Sequence, residues 1–229
     1  MEKENLTRRT FLTVAGAGAV FSSHAVRANT ARVVPGRVSP NERLNIAAIG
    51  IGGMGRANID ACATENIVAL CDVDDMVAAR TYAAYPDAKR FRDFREMFDK
   101  AGDTFDAVIV ATPDHTHAAA AMTAMRAGKH LYCQKPLAHS LYEVRRLTEV
   151  ARETGVQTQM GNQGHSSEPI RRLREWIQAG IIGKVREVHA WSDRPVGGDP
   201  WSDFPIMKRP EDTPPVPDGL DWELWLGPT

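Results

Sequence analysis

The stretch Leu44–Ala63, "LNIAAIGIGGMGRANIDACA", decides how the chain is read. Its first seven residues are an apolar run of strand length. The glycines at 50, 52 and 55 follow in G-x-G-x-x-G spacing, and a helix-forming segment begins around Gly55. A second apolar run, "IVALCD" (67–72), ends on Asp72, 22 residues after Gly50. A glycine triplet alone is a weak signal, because tight turns also use it. Set between a strand and a helix, with an acid at the end of the next strand, it predicts a dinucleotide site. Gly50 makes the turn, Gly52 admits a pyrophosphate to the backbone, and Gly55 permits close packing. The helix N-terminus, with Gly53 and Met54, favours the anion. Asp72 would accept hydrogen bonds from the adenosine ribose. No arginine follows it in "DVDDM" to hold a 2′-phosphate, so NAD is favoured over NADP.

Working outward, strands and helices alternate. Strands are expected at 44–50, 67–72, 88–91, 105–112, 130–133 and 156–160. Helices are expected from about 55–64, 75–85, 116–128 and 141–154, with a helical turn around 94–100. "FDAVIVAT" (105–112) is continuous in the manner of a strand buried on both faces. This alternation predicts a doubly wound parallel sheet of Rossmann type over residues 44–160. Beyond it, 169–179 reads as a helix and "GKVREVHAWS" (183–192) as a half-buried strand of another sheet. Seven of the fourteen prolines fall between Pro195 and Pro217. Trp222, Trp225 and Leu226 have nothing downstream to bury them. Residues 161–229 are therefore expected to begin a second domain, cut off near its start.

Bulk properties narrow the partners. With 43% hydrophobic and 25% charged residues the chain has a globular composition, and a net charge of −1 gives no electrostatic reason to expect nucleic acid. "TRRTFL" (7–12), an apolar run of about 11 residues and "SHAVRA" (23–28) have the order of a twin-arginine signal peptide, 1–28, followed by a leader, 29–43. That run is too short to span a bilayer. The expectations are the twin-arginine translocase as partner, a periplasmic or extracellular location, and no membrane association after signal removal. The three cysteines, Cys62, Cys71 and Cys133, lack paired spacing, so neither a disulfide framework nor a metal site is implied.

"ATPDHTH" (111–117) stands at the carboxyl end of the most apolar strand, where open parallel sheets bind ligands. Thr112, Pro113 and His117 are candidate cofactor contacts there, with capping or packing the plainer reading for His117 and His115. At the end of the next strand "YCQKPLAHS" (132–140) presents Gln134, a further candidate cofactor contact, with Lys135 and Pro136. "QMGNQGHSS" (159–167) offers Asn162, Gln163 and His165 as substrate contacts, against a plain polar loop. Trp201 and Phe204 could stack on a sugar face or serve an interface.

"IGIGGMG", "LCDVD", "VIVATPDHTH" and "AGKHLYCQKPLAHS", in this order, resemble the Gfo/Idh/MocA family of NAD(P)-dependent oxidoreductases over roughly residues 43–229. The resemblance implies a Rossmann domain carrying NAD and a second α+β domain, truncated here, whose open antiparallel sheet covers a sugar or cyclitol. It implies hydride transfer with a secondary hydroxyl, and a homo-oligomer in the full-length form. The family's Glu-Lys-Pro, often with a cis Lys-Pro bond, maps to Gln134, Lys135 and Pro136. Lys135 thereby becomes the catalytic candidate, contacting the reacting hydroxyl. Two departures stand out. Gln134 removes a negative charge from beside the lysine, and the family's second-domain histidine would fall after Thr229. Two other readings follow: a redox-neutral glycosidase or lyase with retained NAD, and a truncated nucleotide-binding fragment without catalysis.

Overall fold

The computed structural model describes residues 43–191 and 213–227. The signal peptide 1–28, nearly all of the leader, Trp201, Phe204 and much of the proline-rich stretch lie outside the described residues.

Six strands form one all-parallel sheet in the order β3-β2-β1-β4-β5-β6. They are β1 (Asn45–Ile49), β2 (Asn66–Cys71), β3 (Lys89–Phe91), β4 (Ala107–Val110), β5 (His130–Gln134) and β6 (Thr158–Gly161). Connecting them are α1 (Gly53–Ala61), α2 (Asp75–Ala84), α3 (Phe94–Ala101), α4 (His117–Arg126) and α5 (Leu141–Thr154). This is the doubly wound Rossmann order, with the strand sequence reversing between β1 and β4.

Alternation along the strands fills both faces. Ile46 and Ala48 of β1 pack with Ile59, Leu70, Tyr82 and Ile109 on one side. Ala47 and Ile49 pack on the other side with Met97, Phe105, Val108, Val110 and Leu147. The alanines of α4 let that helix lie close to the sheet, and Ala120, Ala121 and Ala124 are fully buried. Local signals set the helix ends. Asp74 caps α2 by accepting from the backbone of Met76 and Val77. Ser140 and Glu143 form a reciprocal capping box at the start of α5, and Gly155 ends it at φ 68°.

Past the sheet, α6 (Glu168–Gln178) forms with Pro169 in its first turn. The strand expected at 183–192 is absent: 183–191 carries no strand, and Val188 and Trp191 stand 80% and 87% exposed. Its alternating pattern needs a ladder partner, and none is present among the described residues. A second difference concerns the indoles. Residues 213–227, with a short helix α7 (Trp222–Leu226), contact the ends of β2 and β4, which half-bury Trp225 and Leu226 while Trp222 stays 42% exposed. No helix among the described residues is long and apolar enough to cross a membrane.

Candidate functional site

Parallel pairing lines up the carboxyl ends of the strands. Cys71 of β2 pairs with Ile49, Ile49 with Val110, Val110 with Cys133, and Cys133 with Met160. One step further along every strand come Asp72, Gly50, Ala111, Gln134 and Gly161, so the predicted residues share one edge. From β2 to β5 that edge spans three strand spacings, roughly 14 Å. A cavity of about 790 Å³ lies at its β2–β1–β4 end, lined among others by Gly50, Gly52, Asp72, Thr112 and Pro113.

The glycine turn fits a pyrophosphate. Gly50 has φ 76°, and a Cβ there would lie 2.7 Å from the Ala111 carbonyl. A Cβ on Gly55 would sit 1.8 Å from the carbonyl oxygen of Gly50, so α1 can start this close to β1 only with glycine. No side chain caps the N-terminus of α1, whereas Asp74, Asp93 and Ser140 cap α2, α3 and α5. Its first amides are thus left for an anionic ligand. Gly53 and Met54 are exposed beside them.

Asp72 is held by the backbone: one carboxylate oxygen accepts from Ile51 at 2.8 Å and the other from Asp74 at 3.0 Å. Burial pushes its carboxyl above the ordinary aspartate range, and these N–H donors offset part of the shift. An anionic carboxylate with lone pairs to spare, aimed along the edge beside the glycine turn, is the acceptor a ribose diol requires. Together these residues fit NAD.

His117 departs from its expected role. It is 1% exposed, with Nδ1 2.7 Å from the Pro136 carbonyl and Nε2 2.7 Å from the Thr112 carbonyl. Both ring nitrogens are committed to main chain, so His117 ties the end of β4 to the turn after β5 and does not touch a cofactor. His115 also packs: its Nε2 lies 2.9 Å from the Trp225 carbonyl.

The β5–β6 end is less complete. The Lys135–Pro136 bond is cis and Lys135 is exposed. Gln134 is only 4% exposed, yet its Nε2 lacks a partner, as does the buried Thr112 hydroxyl. Both atoms are sealed from solvent as placed, so a side-chain rotation would be needed to bring either to a ligand. Asn162, Gln163 and His165 are exposed on the 3₁₀ turn after β6. Gln163 Nε2 donates to the Tyr132 hydroxyl at 3.2 Å and reaches Asn58 Oδ1 at 3.5 Å, which places it over α1. The sequence reading missed this cluster with Tyr132 and Asn58, and also the docking of residues 219–227. Only "DWELW", an aspartate before two indoles, hinted at the latter.

Residues 44–162 match the family model "Oxidoreductase family, NAD-binding Rossmann fold" (Gfo/Idh/MocA). The chain is 28% identical over 155 residues to inositol 2-dehydrogenase of Salmonella agona, covering 64% of this chain and 45% of that protein. It is 28% identical over 207 residues to the alpha-N-acetylgalactosaminidase of Shewanella oneidensis, 79% of this chain and 44% of the other. Among solved structures, an NAD binding oxidoreductase from Klebsiella pneumoniae aligns with a TM-score of 0.54 and 33% identity, over 62% of this chain and 40% of its own. The chain spans about half the length of the curated relatives it matches.

Proposed function

The chain belongs to the Gfo/Idh/MocA oxidoreductases, a family with an NAD-binding Rossmann fold, and on that premise we propose that it moves a hydride between NAD and a secondary hydroxyl of a sugar or cyclitol. One observation carries this reading. The strand register puts Lys135 on the edge that holds the glycine turn and Asp72, at the far end from the adenosine side.

Bound NAD supplies the hydride acceptor. Asp72 holds the ribose, and the open amides of α1 hold the pyrophosphate. Gln134 Nε2 and the Thr112 hydroxyl, both buried without a partner, would reach the cofactor or the substrate on side-chain rotation. Lys135 positions the substrate hydroxyl through its Nζ. The carbinol C–H leaves as hydride, the O–H proton passes to a base, and a ketone remains. Asn162 and His165 stand beside Lys135 on the neighbouring strand end as further polar contacts.

A second reading is favoured by the match to alpha-N-acetylgalactosaminidase, which extends over 207 residues. In a redox-neutral glycosidase or lyase, oxidation at one carbinol acidifies the adjacent C–H and permits elimination of the glycosidic group. The glycosidic alcohol departs and leaves an enone, to which water would add in the glycosidase, and return of the hydride to the ketone carbon would restore the hydroxyl and the cofactor.

The test has two stages. Desalted protein is denatured and scanned for released NAD(H), then supplied with inositols and hexoses while NADH absorbance is followed. Bound or binding NAD with NADH growth on a polyol supports the dehydrogenase. Glycoside turnover without free NAD supports the second reading, and failure to bind NAD at all overturns both. The twin-arginine pattern of residues 7–28 supports export by that route. Fractionation should then find a mature chain starting near Asn29 in the periplasm.

A further inference from the structure

Residues 213–227 come back to the Rossmann unit and are anchored on both sides of its switch point. On the β2 side, Leu220 forms an antiparallel bridge with Asp74. Asp221 N–H donates to the Val73 carbonyl at 2.9 Å. The Gly219 carbonyl accepts from Asp75 N–H at 3.2 Å and from Arg92 Nη2 at 3.0 Å. On the β4 side, the Trp225 carbonyl lies 2.9 Å from His115 Nε2 and the two rings meet edge to face at 5.3 Å. Gly227 approaches so closely that a Cβ would come within 2.9 Å of Thr116 Cγ2.

The span between these anchors is ordered by its own contacts. Asp221 accepts from Leu224 N–H at 3.0 Å, and Trp222 stacks on Trp225 at 5.1 Å with the planes 5° apart. The segment therefore runs from the end of β2 to the end of β4, past the end of β1 that carries the glycine turn. The 790 Å³ cavity has Gly50, Gly52 and Asp72 on its inner side and Leu224, Trp225 and Gly227 on its outer side. That volume is within the range of sites that enclose most of a ligand. An aspartate carboxylate facing an indole and a leucine suits a group that is polar at its sugar and flat and apolar at its base.

We propose that residues 219–227 form the outer wall of the adenosine half of the NAD site, so that the cofactor leaves only when this segment detaches. The inference rests on the NAD reading above and extends it to how the cofactor is retained. Slow release holds one NAD through many turnovers.

The test uses the whole chain with NADH as probe, chasing bound NADH with excess NAD⁺ and following NADH emission in a stopped-flow instrument. Trp225→Ala removes the wall's indole. Arg92→Ala cuts the anchor at Gly219 from a side chain that is 42% exposed, so it leaves the core untouched. The expected result is faster release, about tenfold for Trp225→Ala and a few-fold for Arg92→Ala, with smaller changes in the association rate. If wild type binds NADH and both variants release it at the wild-type rate, the wall assignment is overturned. Tighter NADH binding by the variants overturns it differently, showing that the segment occupies the site rather than encloses it. If wild type binds no NADH, the NAD reading itself fails, and the wall with it.

Discussion

The two ends of the carboxyl edge differ in how finished they are. At the adenosine end the machinery is in place without ligand. Both Asp72 oxygens are anchored by amides, the glycine turn is packed to contact, and residues 219–227 cross the opening. At the reaction end Gln134 Nε2 is buried without a partner, and Lys135, Asn162, Gln163 and His165 are exposed. A site that is preorganised at one end spends little ordering entropy on holding NAD. An unpaired polar group at the other end is costly until a ligand satisfies it, which suits discrimination between substrates that differ by a hydroxyl.

Breaking the reaction end should give the largest effect. Lys135→Ala is expected to lower kcat by about 10²–10⁴-fold, within the range for loss of a group that handles the reacting proton, and to leave NADH affinity unchanged. Steady-state kinetics and NADH titration on the same preparation check both halves, and a matching loss of affinity would blur the division between the two ends.

Breaking the adenosine end comes next. Asp72→Ala should weaken NAD by about 10–100-fold, the value of one charge-assisted hydrogen bond, and bring the NAD and NADP affinities closer together. The pH dependence sharpens this. Only the carboxylate can accept from both ribose hydroxyls, and burial raises the pH at which it takes up a proton. NAD affinity should therefore begin to fall, on acidification, above the range of a solvated aspartate. Stability of the ligand-free protein moves oppositely on account of this group. The folded chain holds the proton more readily than the unfolded one, so the contribution is present at low pH and lost as pH rises through the folded value. NADH titration and urea unfolding across pH separate the two signs.

His117 links the ends, holding the Thr112 and Pro136 carbonyls at 2.7 Å each. His117→Ala removes a fully buried ring and its contacts with two part-buried carbonyls, and should cost about 1–3 kcal/mol in urea unfolding. Turnover should fall more than NAD affinity, because Pro136 adjoins Lys135. The smallest effect concerns the thiols. Burial pushes Cys133 up to about 12 and Cys71 higher still, while Cys62 is partly exposed and less shifted. Iodoacetamide at pH 8 should label Cys62 first, and NAD binding should survive that labelling.

Much of the fold could be read along the chain. The glycine turn, Asp72 and the apolar run 105–112 are local signals whose residues dictate backbone shape or burial by themselves. α5 was readable to its ends, expected at 141–154 and found at Leu141–Thr154 with Gly155 as its stop. Less legible was any feature that depends on a partner distant in sequence. Residues 183–191 alternate like a strand, yet alternation fixes only which face a strand would bury and not whether a ladder exists. His117 looked like a ligand contact because a histidine at a strand end can be one. Its two carbonyl partners, 5 and 19 residues away, show only in three dimensions.

The sequence by itself determined the parallel sheet, the dinucleotide turn and the place of Lys135 at a strand end. Those follow from periodicity, glycine geometry and the right-handed crossover rule, all of them short-range or topological constraints. Only the tertiary structure decided that Leu224 and Trp225 fold back over the cavity, that His117 is a tie, and that Gln134 is buried with an amide unpaired. Each of these depends on which surfaces meet across more than a hundred residues or across neighbouring strands. Burial and hydrogen-bond satisfaction are set there by the assembled sheet rather than by local propensity.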